Sequence, residues 1–211
     1  MDRIIVFDLG NILVKLRGVE LFWPEFQHDP VYCQNLWNSS KYVYELETGK
    51  INDLREFYNL ISQELKINLD FYDFKQVFLH IIGEPFAGTE RMLADLARKH
   101  RLMILSNTSQ VHWQHCEKML NLNKYIEKAW LSCDLGFMKP DNRIYEVFLQ
   151  KIGTDPHNIF YFDDKEENVI AARAFGINAY KSWGGETLTE DLLAANFILE
   201  AEIKIQENDY E

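Results

Sequence analysis

Five short apolar runs punctuate the chain: Arg3–Phe7, Leu102–Leu105, Ala129–Cys133, Ile159–Phe162 and Asn178–Lys181. Each stops at polar or turn residues. Runs of this length, nearly continuous in apolar residues, suit strands buried on both faces, as in a parallel sheet. Between them, apolar positions recur at helical spacing. Met92, Leu93, Leu96 and Ala97 form one stripe. Ile144, Val147, Phe148 and Ile152 form a second, introduced by Pro140 and closed at Gly153. Val169, Ala172 and Arg173 open a third, which Gly176 ends. This alternation predicts right-handed crossovers and an α/β fold built on a doubly wound parallel sheet.

The rhythm breaks between about Arg17 and Pro85. No strand candidate stands out there, but aromatic-rich amphipathic stretches do, such as Leu54, Phe57, Tyr58 and Ile61, and Phe71, Phe74, Val77, Phe78 and Ile81. The expectation is a helical insertion after the first strand, with residues 1–16 and 86–211 forming the α/β core and 17–85 the insertion. The acidic tail after Glu200 reads as a helix end or frayed terminus.

Composition narrows the function. The 211 residues are 47% hydrophobic and 26% charged, the balance of a globular chain with one domain and a sizeable insertion. With 22 Lys and Arg against 33 Asp and Glu, the net charge is −11 and no basic run stands out, which argues against a nucleic-acid partner. An anionic substrate then needs a local positive site, such as a metal ion. No run approaches the roughly 18 apolar residues of a membrane span, and the N-terminus lacks a signal-peptide pattern. Cys33, Cys116 and Cys133 are odd in number without Cys-x-x-Cys spacing, which suggests free thiols in a reducing compartment. The expectation is a cytoplasmic monomer or small homo-oligomer with no membrane partner. The triplets Asn38-Ser39-Ser40 and Asn107-Thr108-Ser109 are then coincidental glycosylation patterns.

In parallel α/β sheets, ligands bind beyond the carboxyl ends of the strands. Asp8-Leu9-Gly10-Asn11 follows the first run and Ser106-Asn107-Thr108 the second; a loop after the third leads to Lys139-Pro140, and Asp163-Asp164 follows the fourth. One sheet edge thus collects three carboxylates, a hydroxyl and an ammonium. A few hard oxygen ligands suit Mg²⁺ held beside a phosphate. Asp8 and Asp164 can hold the metal, and Asp8 can also attack phosphorus as a carboxylate nucleophile. Mg²⁺ and Lys139 neutralise like charges packed so closely, and Ser106 with nearby backbone N–H groups can hold phosphate oxygens. Such a set suits in-line phosphoryl transfer, which is mostly positioning and charge stabilisation.

These four pieces, in this order, resemble the motifs of the haloacid dehalogenase superfamily of phosphatases. They are Phe7-Asp8-Leu9-Gly10-Asn11-Ile12-Leu13, Ser106-Asn107-Thr108, Phe137-Met138-Lys139-Pro140-Asp141, and Asp163-Asp164 followed by Asn168. The insertion looks like the family's C1-type cap. Its Leu46-Glu47-Thr48-Gly49-Lys50-Ile51 is similar to bacterial sugar-phosphate phosphatases such as glucose-1-phosphate phosphatase. The resemblance implies a nucleophilic Asp8 that becomes an aspartyl-phosphate. It also implies a Mg²⁺ site of Asp8, the Gly10 carbonyl, Asp164 and neighbouring Asp163. Ser106 and Asn107 would bind the transferring phosphate of a small phosphorylated metabolite, and Lys139 would pair with Asp8 and phosphate.

One position departs from the pattern. Most phosphatases of the superfamily carry a second Asp two residues after the nucleophile as general acid and base, and here that residue is Gly10. A general acid is typically worth about 10²- to 10⁴-fold. A sugar 1-phosphate, whose ring oxygen lowers the basicity of the leaving oxygen, needs that proton less. A cap residue or water is the other replacement. Three further readings stand beside the phosphatase: a non-catalytic binding or regulatory module, a phosphotransferase, and a 2-haloacid dehalogenase, which would leave Asp163-Asp164 unexplained.

Elsewhere the plain structural explanation is preferred. His112 and His115, with Cys116 next, lack a further zinc ligand pair, so they read as structural. In the insertion, Trp23, Phe26, Trp37, Tyr42 and Tyr44 read first as packing and second as a substrate-pocket lining. Asp163 can equally be a structural partner for a loop.

Overall fold

The computed structural model describes residues 3–23 and 29–198. Phe26 and the acidic tail beyond Glu200 lie outside the described residues. Strand β1 (Ile4–Phe7) leads to a short β2 (Val14–Leu16), then to helices α1 (Pro30–Ser39), α2 (Lys41–Glu47), α3 (Leu54–Leu65) and α4 (Phe71–His80). Strand β3 (Ile82–Pro85), helix α5 (Thr89–Ala97), β4 (Arg101–Ser106), α6 (Gln110–Leu120) and β5 (Lys128–Leu131) follow. The single-turn α7 (Ser132–Leu135), α8 (Asn142–Ile152), β6 (Ile159–Asp163), α9 (Glu166–Ala174), β7 (Asn178–Lys181) and α10 (Glu186–Ala194) come last.

Five strands form one parallel sheet in the order β5-β4-β1-β6-β7. Its central strand has a side chain for each face. Ile5 and Phe7 enter a cluster with Leu93 of α5, Leu120 of α6 and Leu188 of α10, whereas Ile4 and Val6 meet Phe148 of α8 and Val169 of α9. Double burial explains why β1 is apolar throughout, and it makes the sheet the doubly wound one expected. Each fully buried aliphatic or aromatic side chain here contributes about 1.5–3 kcal/mol relative to exposure.

The four helices between β2 and β3 have a separate core. Trp37 stacks on Phe22 at 4.9 Å and meets Phe57 edge-on at 6.0 Å, and Phe74 stacks on Phe78 at 6.0 Å. Trp23 is buried, and its indole N–H donates to the Leu65 carbonyl at 3.0 Å. Asp53 and Asp70 cap α3 and α4 by accepting from the N–H groups of Glu56 and Asp73.

Three local expectations are corrected. The segment 17–85 does contain a strand: β3 pairs antiparallel with β2, Val14 opposite Pro85 and Leu16 opposite Ile82. The strand expected to run to Cys133 stops at Leu131, because buried Ser132 turns its hydroxyl to the main chain of Thr108 and begins α7. Pro140 does not open α8. Asp141 is its cap, accepting from the Arg143 N–H at 2.9 Å, and Pro140 lies outside, joined to Lys139 by a cis peptide. Among the described residues, no helix is long and apolar enough to cross a membrane.

Candidate active site

The parallel register places the chemistry. β1 lies between β4 and β6, so Asp8 emerges beside Ser106 at the end of β4 and Asp163 at the end of β6. The Asp8 N–H donates to the Phe162 carbonyl at 2.9 Å, carrying the ladder one residue past the strand. The chain then turns tightly: the Leu9 carbonyl accepts from the N–H groups of Leu13 and Val14, and Asn11 has a left-handed φ of 55°. Lys139 arrives from the loop between α7 and α8.

Buried Lys139 is the hub. Its ammonium donates to the Leu105 carbonyl at 2.9 Å, the Tyr161 hydroxyl at 2.7 Å and Asp163 Oδ2 at 2.7 Å. An ammonium has three N–H groups, and these bonds use them all. Asp8 Oδ1 sits 3.0 Å from Nζ in an ion pair and makes no hydrogen bond of good geometry. Burial works against the charge of Lys139, yet Asp163 and Asp8 together hold its pKa above the usual lysine value. Burial pushes Asp8 upward and the Asp163 charge adds to this, against the pull of Lys139 and the Ser106 hydroxyl. Burial also opposes ionisation of Asp163. There Lys139, the Tyr161 hydroxyl and the Lys165 N–H prevail and set its pKa below the ordinary value.

Both oxygens of Asp163 are engaged. Oδ1 accepts from the Lys165 N–H at 2.8 Å and Asn168 Nδ2 at 2.9 Å, while Oδ2 accepts from Lys139, Tyr161 and Asn168. Asp164 is half-buried and more open, its Oδ2 accepting from Asn11 Nδ2 at 2.9 Å. One carboxylate oxygen each from Asp8, Asp163 and Asp164 lies within 4.8 Å of the others. Three carboxylates against one buried ammonium leave excess negative charge. Together with a buried Asp8 oxygen that lacks a hydrogen bond, this hard-oxygen donor set fits a divalent cation such as Mg²⁺. The Gly10 carbonyl accepts no hydrogen bond among the described residues, which leaves it able to join the set.

The expected phosphate groups divide. Ser106 is buried beside Asp8. The Asn107 side chain instead clasps the main chain of Lys139, donating to its carbonyl at 2.9 Å and accepting from its N–H at 2.8 Å. What Asn107 can still offer an anion is its own backbone N–H.

A cavity of about 130 Å³ joins these residues to the helices of the insertion. Its far wall is apolar, with Leu16, Trp37, Val43, Leu46, Phe78 and Ile81, and carries one carboxylate, Glu47 at the end of α2. Burial pushes Glu47 up to about 7 despite the opposing charge of Lys165, with Asp8 adding to the rise. A Cβ on Gly10 would lie 2.6 Å from Leu16 Cδ1, so the exposed Leu16 side chain would have to shift to admit one. A larger groove of about 350 Å³ between α5 and α10 holds none of these residues, so chemistry rather than size marks the site.

The structure thus brings together Asp8, Gly10, Ser106, Asn107, Lys139, Asp163 and Asp164. It adds residues that sequence reasoning missed: Tyr161 and Asn11, which hold the carboxylates, and Glu47 and Leu16 on the opposite wall. Tyr161 was visible only as a strand residue, and Asn11 and Glu47 only as letters within motifs. His112 and Cys116 join no metal-like cluster among the described residues. Buried His112 stacks on Phe78 at 4.0 Å, and because a carbonyl only accepts, its Nε2–H donates to the Phe78 oxygen at 2.8 Å. It ties α6 to α4. Trp37 both packs and lines the cavity, while Tyr44 is exposed.

Several known proteins are similar to this chain in sequence or fold. The D-ribitol-5-phosphate phosphatase of Bacteroides thetaiotaomicron is 23% identical over 201 residues, 91% of this chain and 97% of that protein. A HAD family enzyme of the same organism, crystallised with magnesium and inorganic phosphate, matches the fold with a TM-score of 0.76. It is 24% identical, over 88% of this chain and 96% of that one. A HAD-like family hydrolase from Porphyromonas gingivalis gives a TM-score of 0.75 at 22% identity, over 92% and 98%. A model of the haloacid dehalogenase-like hydrolase family matches residues 3–176, a span that includes every residue of the site described above, and the chain belongs to that family of hydrolases.

Proposed function

We propose that the protein is a Mg²⁺-dependent phosphatase of a small phosphorylated metabolite, a sugar phosphate such as a sugar 1-phosphate, acting through an aspartyl-phosphate on Asp8. The observation that carries this reading is Asp8 Oδ1, buried at the cavity floor, paired in charge with Lys139 yet free of a hydrogen bond. A carboxylate so held keeps a lone pair available for attack on phosphorus. Asp8, Asp164 and the Gly10 carbonyl would hold Mg²⁺, with Asp163 beside them. The ion would supply charge neutralisation at the phosphate oxygens.

The chain's own groups do the rest. Lys139 faces the phosphate from the Asp8 side, and Tyr161 and Asp163 fix its ammonium. Ser106 and the Asn107 N–H bind phosphate oxygens, and Asn107 holds the Lys139 loop in place. Residues 17–85 act as a cap whose apolar wall excludes water during transfer. The cavity is small beside the roughly 300–1,000 Å³ of pockets for drug-sized ligands, which supports a small substrate. The related ribitol-phosphate phosphatase, by its name, acts on a molecule of that kind.

The test is hydrolysis of p-nitrophenyl phosphate, whose leaving group departs without an acid. The expected result is turnover that requires Mg²⁺, stops with EDTA, and falls on the order of 10⁴-fold or more in Asp8→Asn, the scale of losing a nucleophile. Turnover in the wild type no higher than in Asp8→Asn would overturn the reading in favour of a non-catalytic module.

A further inference from the structure

We infer that Glu47, reaching the site from α2, carries the proton to the leaving oxygen and takes one from the attacking water, in place of the carboxylate absent at position 10. The inference deepens the phosphatase reading and rests on it.

Elimination leads to this residue. Of the titratable groups that line the cavity, Asp8 and Asp164 belong to the nucleophile and metal set. Lys139 has all three N–H groups engaged. His112 has its Nε2–H on a carbonyl and is held down to about 4 by burial, and burial pushes the Cys116 thiol up to about 12. Lys165 supplies the opposing charge beside Glu47. Glu47 remains, with no hydrogen bond or ion pair of its own among the described residues.

Its placement is built in. Glu47 closes α2, where the negative end of the helix favours the protonated carboxyl. The next turn is pinned: Thr48 is buried with its hydroxyl on the Tyr44 carbonyl at 2.7 Å, and the N–H groups of Lys50 and Ile51 converge on the Glu45 carbonyl. Gly49, at φ 71°, packs so closely that a Cβ would lie 2.0 Å from the Cys133 carbonyl oxygen. α2 is therefore seated on α7, and Glu47 is fixed relative to Asp8. The charged and titratable groups around it are Asp8, Asp164 and Lys165 beyond the strand ends, Lys139, His112 and Cys116 across the cavity, and Cys133 on α7. An acid of raised pKa facing the nucleophile is suited to proton transfer near neutrality.

The steps balance. Asp8 attacks phosphorus, the bond from phosphorus to the leaving oxygen breaks, and that oxygen takes the proton of the Glu47 carboxyl. The Glu47 carboxylate then takes a proton from water as the water oxygen attacks the aspartyl-phosphate. The bond from phosphorus to Asp8 breaks, releasing inorganic phosphate and restoring both groups. A substrate need not then have a stabilised leaving oxygen, which brings ordinary alkyl phosphates within range.

The experiment compares substituted phenyl phosphates, from unsubstituted phenyl to p-nitrophenyl, in wild type, Glu47→Gln, Glu47→Asp and Asp8→Asn. In Glu47→Gln, kcat/KM for phenyl phosphate should fall about 10²-fold or more, with a loss at least tenfold smaller for p-nitrophenyl phosphate. The high-pH fall of kcat/KM on phenyl phosphate should disappear with it, and Glu47→Asp should recover part of the phenyl activity. A loss uniform across the series, or no loss, would overturn the role of Glu47 while Asp8→Asn still reports the phosphatase reading intact. Wild-type turnover no higher than in Asp8→Asn would remove both.

Discussion

The two walls of the cavity solve opposite problems. On the sheet side, Asp8, Lys139, Tyr161, Asp163 and Asn168 form a network in which nearly every polar atom is bonded and only Asp8 Oδ1 and Asn168 Oδ1 are left over. On the side of the insertion the wall is apolar, with a single carboxylate that has no partner among the described residues. On the proposed reading, the difference divides charge from proton. Fixed charge belongs where the phosphate binds, because an over-determined network needs no reorganisation during reaction. A group that must exchange a proton belongs where its two forms are close in free energy, and the apolar wall brings Glu47 near that balance at about 7.

The largest expected break in this contrast is Lys139→Met. It leaves Asp8 and Asp163 buried without their cation, and removing one partner of such a set typically costs about 3–5 kcal/mol. Urea unfolding should show a loss of that size; a loss under about 1 kcal/mol would mean that the network does not depend on its hub. Next comes Asn11→Ala, which frees the Asp164 carboxylate. Loss of such an outer partner usually weakens metal binding by about 10- to 100-fold, and calorimetric titration with Mg²⁺ reads it directly. Unchanged affinity would show that Asp164 needs no orientation by Asn11.

A smaller effect tests whether the proton can be moved between walls. In a Glu47→Gln background, Gly10→Asp combined with Leu16→Ala should raise phenyl phosphate turnover roughly tenfold over p-nitrophenyl phosphate, at the low end of general acid effects. Gly10→Asp alone should do less, because Leu16 occupies the space. Equal gains on both substrates would show that position 10 acts by fit rather than by proton transfer.

The smallest effect is on stability. Glu47 binds its proton more tightly folded than unfolded, so the folded state holds more protons between about 4.5 and about 7 and loses stability as pH rises through that window. Partial solvent access reduces the loss to about 1 kcal/mol. Urea midpoints at pH 5 and pH 8 should differ less in Glu47→Gln than in wild type; an identical difference would place the titration elsewhere.

The sheet wall was largely legible in the sequence, and the wall formed by the insertion was not. Ile4–Phe7 and Ile159–Asp163 announce themselves because strands buried on both faces must be apolar throughout, and the residue that follows such a strand is at the ligand edge whatever the rest of the fold does. Asp8, Ser106 and Asp163-Asp164 could therefore be placed without coordinates. The β2–β3 ribbon escaped because three- and four-residue strands containing Lys15, Gly83, Glu84 and Pro85 show no readable alternation, and their partners lie far apart in sequence. Glu47 escaped for a different reason. A glutamate at a helix end is ordinary until folding sets it opposite Asp8. The contact of Leu16 with position 10 likewise exists only in three dimensions, and the turn of Asn107 toward Lys139 depends on where a distant loop arrives.

The ribbon has a consequence for how such a molecule can change. Because β2 and β3 lie side by side, and Glu84 bridges them through Lys15 and Arg17 at 2.9 Å each, the helices of the insertion leave and rejoin the sheet domain through one narrow stalk. Beyond the stalk, segments that do not touch α6 or α7 can be lengthened or shortened without shifting the register of β1 against β4 and β6. Each doubling of the intervening chain adds only about 0.6 kcal/mol of closure entropy. On the proposed reading, the apolar lining contributed by the insertion is free to diverge as long as α2 keeps Glu47 in the cavity, while the strand ends that hold Asp8 and Asp163 stay as they are.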